Sequence, residues 1–240
     1  MDALPKYKAT KDVRFVESLI IVMFVAINII SNVIAGKIIA LPFGLSVAGA
    51  SLLIPLVLIL DDCITNVMGY QTAKKMTWIS IIVNLCMSAI FMAIVAWPSP
   101  VWFENSAAYA TVLGQSVRVV IASIVSFWCS SFLNSYILQR VKVKQVDSGA
   151  DTMNKWGIFL RTFGSSIPAQ LVDSMLFAVI AFAFTMDWPT VIMMGLTQWG
   201  VKLLVELVIQ PIVVNLIPKF SKAVGMDAVD RDGYNPFKMD

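Results

Sequence analysis

Between Arg161 and Phe177 the chain reads RTFGSSIPAQLVDSMLF. Polar or charged residues interrupt an otherwise apolar stretch, among them Arg161, Ser165, Ser166, Gln170, Asp173 and Ser174. At 100° per residue, Ser166, Gln170, Asp173 and Phe177 fall on one narrow helical stripe. A carboxylate inside a hydrophobic span costs about 2.5–3.5 kcal/mol on insertion scales, so it is expected to face a cavity or a partner. An amide, a carboxylate and an aromatic ring on one stripe are the groups a flat polar small molecule needs. Gly164, the serines and Pro168 suggest a break in this helix near 166–168, which would set unpaired N–H groups and a positive dipole end at mid-depth. A simple proline kink is the plainer alternative.

Other segments offer matching groups. Near 62, Asp62, Thr65, Asn66 and Gly69 share a side, while Asp61 points about 100° away. Ser123, Phe127, Ser130 and Asn134 form a second stripe, which close helix contact through small residues could also explain. Gln198, Lys202, Glu206 and Gln210 drift across one face of a third segment. Lys202 could pair with Glu206 along its own helix or with Asp173 across a helix interface. Asp62, Asp173, Lys202 and Glu206, at about 3 kcal/mol each, would cost about 12 kcal/mol uncompensated. Mutual pairing or a shared aqueous hollow removes that cost. Asn32, on the polar face of the first apolar segment, is a further candidate. Phe127 and Phe177 lie on the polar stripes and suit stacking. Phe43, Trp97, Trp102 and Trp199 are weaker aromatic candidates, the tryptophans at span ends being typical of interfacial belts.

The elements that must carry these residues are membrane spans. The chain has 240 residues, 58% hydrophobic and 14% charged, with mean hydropathy +0.80. A soluble domain carries about 25% charged residues. Apolar runs predict six helices, near 15–36, 50–69, 77–97, 116–138, 158–186 and 191–217. The fold class expected is all-α: one polytopic domain of six transmembrane helices in a compact bundle. Residues 41–50 are too short to span and read as a re-entrant segment or hairpin cap. Residues 98–114 read as a polar-aromatic loop.

Basic residues set the orientation. They fall at Lys6, Lys8, Lys11 and Arg14, at Lys74 and Lys75 in a short loop, at Arg140, Lys142, Lys144 and Lys155 in another, and at Lys219, Lys222, Arg231 and Lys238 in the tail. The alternate connections carry none. The positive-inside rule therefore places both ends, tails 1–14 and 218–240, in the cytoplasm of a cell inner membrane.

Several chemistries drop out. The chain has no histidine, which removes Ser-His-Asp hydrolysis and His-ligated metals. Cys63, Cys86 and Cys129 have no metal-ligand spacing. No phosphate-binding glycine loop for ATP occurs. Two aspartates could form a protease dyad, but the Gly-x-Gly-Asp signature is absent. A net charge of +3 gives no reason to expect nucleic acid. Neither a cofactor nor a metal is expected, and the chain is not read as an enzyme.

The runs LDDCITNVMGYQTAKK (60–75), SVRVVIASIVSFWCSSFLNSYIL (116–138), LRTFGSSIPAQLVDSMLFAVIAF (160–182), VKLLVELVIQP (201–211) and YNPF (234–237) resemble the queuosine precursor transporter family, also called the vitamin uptake transporter family. The family pattern falls here on Asp62, Arg118, Arg161, Ser165, Gln170, Asp173, Lys202 and Glu206. Where the family typically has Glu, this chain has Asn66. The resemblance implies uptake of a 7-deazaguanine base by a secondary transporter, and it is compatible with a homodimer. A substrate-capturing subunit of an ATP-driven vitamin importer has a similar six-helix arrangement. Such subunits usually dock through Ala-x-x-x-Ala in the first span, which this chain lacks.

Overall fold

In the computed structural model the described residues are 11–35, 37–40, 46–114, 117–184, 186–231 and 234–237. The expectations for Phe43, for most of the 41–50 cap and for residues 1–10 lie outside them. Seven α-helices carry the fold: α1 (Lys11–Ile34), α2 (Ile54–Met68), α3 (Tyr70–Ala96), α4 (Ser106–Leu113), α5 (Val117–Asp147), α6 (Lys155–Phe182) and α7 (Trp188–Val224). Between α1 and α2 lie a short antiparallel pair, β1 (Ile38–Ala40) with β2 (Ser46–Ala48), and a 3-10 turn, Gly49–Leu52. The paired strands fit the hairpin reading of this connection. The result is an all-α polytopic bundle.

Among the described residues five segments are long and apolar enough to cross a membrane: α1, α3, the α4–α5 stretch, α6 and α7. The expected second span differs in its surroundings. It folds as a 15-residue helix, α2, entered through the 3-10 turn Gly49–Leu52. Every residue from Asp61 to Met68 is buried. α2 packs against α1, α3, α5 and α7 as the inner helix of the bundle. Its surroundings explain how one short helix can hold Asp61, Asp62, Thr65 and Asn66 without exposing them to lipid.

Local chemistry sets the ends. Pro55 lies in the first turn of α2, where its missing N–H costs nothing. Asn154 caps α6, its Oδ1 accepting from the Trp156 amide at 3.0 Å. Asp187 caps α7 in the same way through Thr190. The Thr190 hydroxyl and amide hold the Asp187 carboxyl below its usual range. Gly225, at φ 69°, ends α7 in the left-handed region. α2 ends at Gly69, φ 90°, and α3 begins at the next residue.

Five further sequence expectations change. Lys74 and Lys75 are not in a loop; both lie in the first turns of α3, and Lys74 is buried. Arg140, Lys142 and Lys144 likewise extend α5 instead of forming a connection. α6 is unbroken across 166–168, with Pro168 inside it. A break there would strand several N–H groups away from water, at several kcal/mol each, whereas a proline within the helix forgoes one bond. Gly164, whose carbonyl would meet the proline ring, has open space where a side chain would be. α7 also runs past the expected tail boundary, to Val224, and the 98–114 loop contains α4.

Large apolar side chains on α3, among them Ile82, Leu85, Ile90 and Ile94, face outward, as lipid contact requires. Inside, an apolar cluster of Phe24, Ile64, Val67, Met76, Phe127, Val213 and Ile217 lies beside a column of polar side chains.

Candidate functional site

The polar column runs between α2, α5, α6 and α7. It has three levels, described from the hairpin end toward the end where Lys74, Lys142 and Lys222 gather.

At the hairpin end a cleft encloses about 480 Å³ of non-atom space, counted to its open mouth. Its lining comes from Asn28 and Asn32 of α1 and Ala35 just after it; Ala50 and Ser51 of the 3-10 turn and Ile54 of α2; Ser123, Ser126 and Phe127 of α5; Asp173 and Phe177 of α6; Gln198 and Lys202 of α7. Lys202 Nζ donates to Asp173 Oδ2 at 2.6 Å and to Ser174 Oγ at 3.1 Å. The cross-helix partner is thus Asp173, not Glu206. Phe127 is braced by Phe24, ring centroids 5.9 Å apart. Asn32 accepts from Ser123 Oγ at 2.8 Å and donates to Asn84. The cleft therefore offers two rings, one ion pair and several amides within one hollow.

Below the cleft the column closes. Gln170 Nε2 of α6 donates to Glu206 of α7, and Ser166, one turn earlier, faces the same carboxyl. Asn134 Nδ2 of α5 donates to Asp62 Oδ1 at 2.8 Å. Asp62 and Glu206 are within electrostatic range of each other. Asp62 Oδ2, Asn134 Oδ1 and Gln170 Oε1 are buried acceptors with no hydrogen bond from the protein. Buried acceptors are normally satisfied, by the protein or by ordered water.

At the basic end the column is tied shut. Arg161, completely buried, donates Nε to Asn66 Oδ1 at 2.5 Å and Nη1 to Gln145 Oε1 at 3.0 Å and to the Thr152 carbonyl at 2.7 Å. One guanidinium thereby joins α2, α5, α6 and the α5–α6 connection. Asn66 also donates to the Asp62 carbonyl at 2.8 Å.

The structure thus brings Asp173, Lys202, Phe127, Phe177 and Asn32 together around open space. It sets Asp62, Asn134, Gln170 and Glu206 directly beneath, and Asn66 with Arg161 at the closed end. The remaining candidates stand apart. Ser165 bonds back to the Thr162 carbonyl at 2.9 Å. Arg118 caps the end of α6, donating to the carbonyls of Ile180, at 2.5 Å, and Ala183. Trp199 donates to the Ile167 carbonyl at 3.1 Å, away from the cleft, and Trp97 and Trp102 are exposed.

Sequence reasoning passed over Asp61, which accepts from Ser135 Oγ at 3.1 Å and from Asn134 Nδ2 at 3.3 Å. Its neighbour had the better helical face, but in a helix buried all round no face is solvent. Gln198 and Asn28 also line the cleft; each lies one turn from a residue that was chosen, Lys202 and Asn32. Among the described residues no group of acidic, cysteine or histidine side chains could hold a metal ion.

No curated protein and no solved structure matches this chain. A family model described as "Putative vitamin uptake transporter" matches residues 48–216, a stretch that holds the column residues of α2, α5, α6 and α7 but not Asn28, Asn32 and Ala35 of the cleft. By that match, over well more than half of its length, the chain belongs to the vitamin uptake transporter family.

Proposed function

We propose that the protein imports a 7-deazaguanine base, such as 7-cyano-7-deazaguanine, through this polar column, acting as a secondary transporter or facilitator in the cell inner membrane with both termini cytoplasmic. The observation that carries the reading is the hairpin-end cleft, in which Phe127 and Phe177 stand beside the Lys202–Asp173 pair. A guanine-like edge presents N1–H and a 2-amino group as donors and a 6-oxo group as acceptor. Asp173 takes the donors; Lys202 and the Gln198 amide serve the oxo group. The phenyl rings flank the flat bicycle. The unpartnered acceptors one level down, Asp62 Oδ2 and Gln170 Oε1, offer the next position for the same donor edge as the base moves inward.

The test uses cells unable to synthesise the precursor, supplied with it from outside, and reads the modified tRNA nucleoside they make. Asp173→Asn and Glu206→Gln are each expected to abolish modification while protein abundance is unchanged. Normal modification in both variants would count decisively against the site. Uptake by purified protein in liposomes, with no ATPase present, separates this reading from that of a capture subunit for an ATP-driven importer.

A further inference from the structure

The C-terminal segment after α7 reads as a polar tail, yet its described parts, 225–231 and 234–237, are bonded to the basic end of the bundle at Asp227, Ala228, Asp230, Arg231, Tyr234, Asn235 and Pro236. α2 ends there, and the last four carbonyls of any helix lack partners within it. Each of the four here is taken by a donor from elsewhere: Thr65 by Gln139 Nε2, Asn66 by Lys142 Nζ, Val67 by the Ala228 amide at 3.0 Å, and Met68 by Thr72 Oγ1 at 3.3 Å. One donor is the tail itself, and the tail holds a second in place. Lys142, wholly buried, ion-pairs with Asp227 and donates to the Ala228 carbonyl at 2.7 Å. Thr152, whose carbonyl is bound by Arg161, donates its hydroxyl to the other Asp227 oxygen at 2.7 Å.

Residues 234–236 lie along α3 in register. Tyr70, Lys74 and Trp78, one helical turn apart, donate to three successive carbonyls: Tyr234 at 3.1 Å, Asn235 at 3.3 Å and Pro236 at 2.9 Å. The tail is thus a strap that binds the α2–α3 joint to α5, across the closed end of the polar column.

Its bonds are of a kind that opens readily. They are polar, the strap itself is only half-buried, and its Asp227, Asn235 and Phe237 are exposed, so water can reach them from the strap side. Segments held this way open locally at a fraction of the global unfolding cost. The cleft at the opposite end, by contrast, is open while the strap is seated.

We infer that this strap is the gate at the basic end of the transport path. Its release frees Lys142 and Asp227, leaves the Val67 carbonyl uncapped, and lets the end of α2 move from α5 and Arg161, so that the column opens on that side. This rests on the transport reading, but its test needs no substrate. In a background where Cys63, Cys86 and Cys129 are replaced by Ser, a thiol probe is placed within the column by Ser135→Cys, and a control probe in the cleft by Ser126→Cys. A charged, membrane-impermeant methanethiosulfonate is applied to each face of reconstituted vesicles. Deleting residues 225–240 is expected to raise the labelling rate of the column probe from the basic-end face about tenfold or more, leaving the cleft probe's rate from the other face unchanged. A full-length variant, Asp227→Asn with Asp230→Asn, the latter removing the carboxylate that accepts from the Tyr70 amide at 2.5 Å, is the second arm and is expected to give a smaller rise of the same sign. Column labelling unchanged in both arms would overturn the gate and leave the strap a static tie, whatever the uptake assay shows. A rise at both probes from both faces, in both arms, would also overturn it, because general loosening and not gating would be the result.

Discussion

Arg161 does the most connecting of any side chain in the column. Its three hydrogen bonds reach two other helices and a connection, and no part of it meets solvent. The planar fork is what permits this; an ammonium at the same place cannot aim at three acceptors set around a plane. Arg161→Lys is therefore expected to leave acceptors unmet and to lower stability by about 1–3 kcal/mol, read as a fall in the unfolding midpoint of the purified protein. Ligand affinity should change less than for Asp173→Asn, since Asp173 lines the cleft and Arg161 does not. Stripe arithmetic found Gln170, Asp173 and Phe177 from spacing alone, because α6 is regular and its apolar faces are plain. It could not choose between Glu206 and Asp173 as the partner of Lys202. An i,i+4 pair and a cross-helix pair look alike in sequence, and the choice belongs to how α6 and α7 meet.

At the scale of elements, the α2–α3 joint is the unusual feature. Gly69 sits at φ 90°, where side chains are strained, and a Cβ there would come within 2.5 Å of Asp230 Oδ2 and 3.2 Å of Ala228 Cβ on the strap. Gly149, at φ 73°, has nothing within 4 Å and serves as a control for backbone strain alone. Both Gly→Ala changes are expected to destabilise, by about 1–3 kcal/mol for strain. Gly69→Ala should lower the unfolding midpoint more, because it also displaces the strap. Equal shifts would mean that the strap contact contributes little. The five long helices were legible from hydropathy, since length and apolarity decide them. α2 was legible as a helix but not as an inner one; its apolar residues are the same whether lipid or other helices surround them. The two lysines of α3 were misread for a related reason. Basic residues between apolar runs imply a connection only where the backbone must turn, and here one glycine makes the turn.

For the molecule as a whole, the fold sets an open cleft and a strapped end on opposite ends of one polar column. The family match and the long apolar helices make it a multi-pass transport protein. The tail's role was hidden because composition marks it as polar, although Tyr234, Pro236 and Phe237 were a signal that it packs. Tyr234 stands against Tyr70 and Tyr136, and Phe237 against Trp128.

The most direct measurement is binding of 7-cyano-7-deazaguanine to the purified protein in detergent, beside guanine and an unrelated vitamin, in wild type and in Asp173→Asn and Phe177→Ala. The account requires saturable binding of the deazaguanine, weakened about tenfold or more by each substitution, a loss of about 1.4 kcal/mol, with the unfolding midpoint preserved. Equal affinity in all three proteins, or no binding to any, would contradict it.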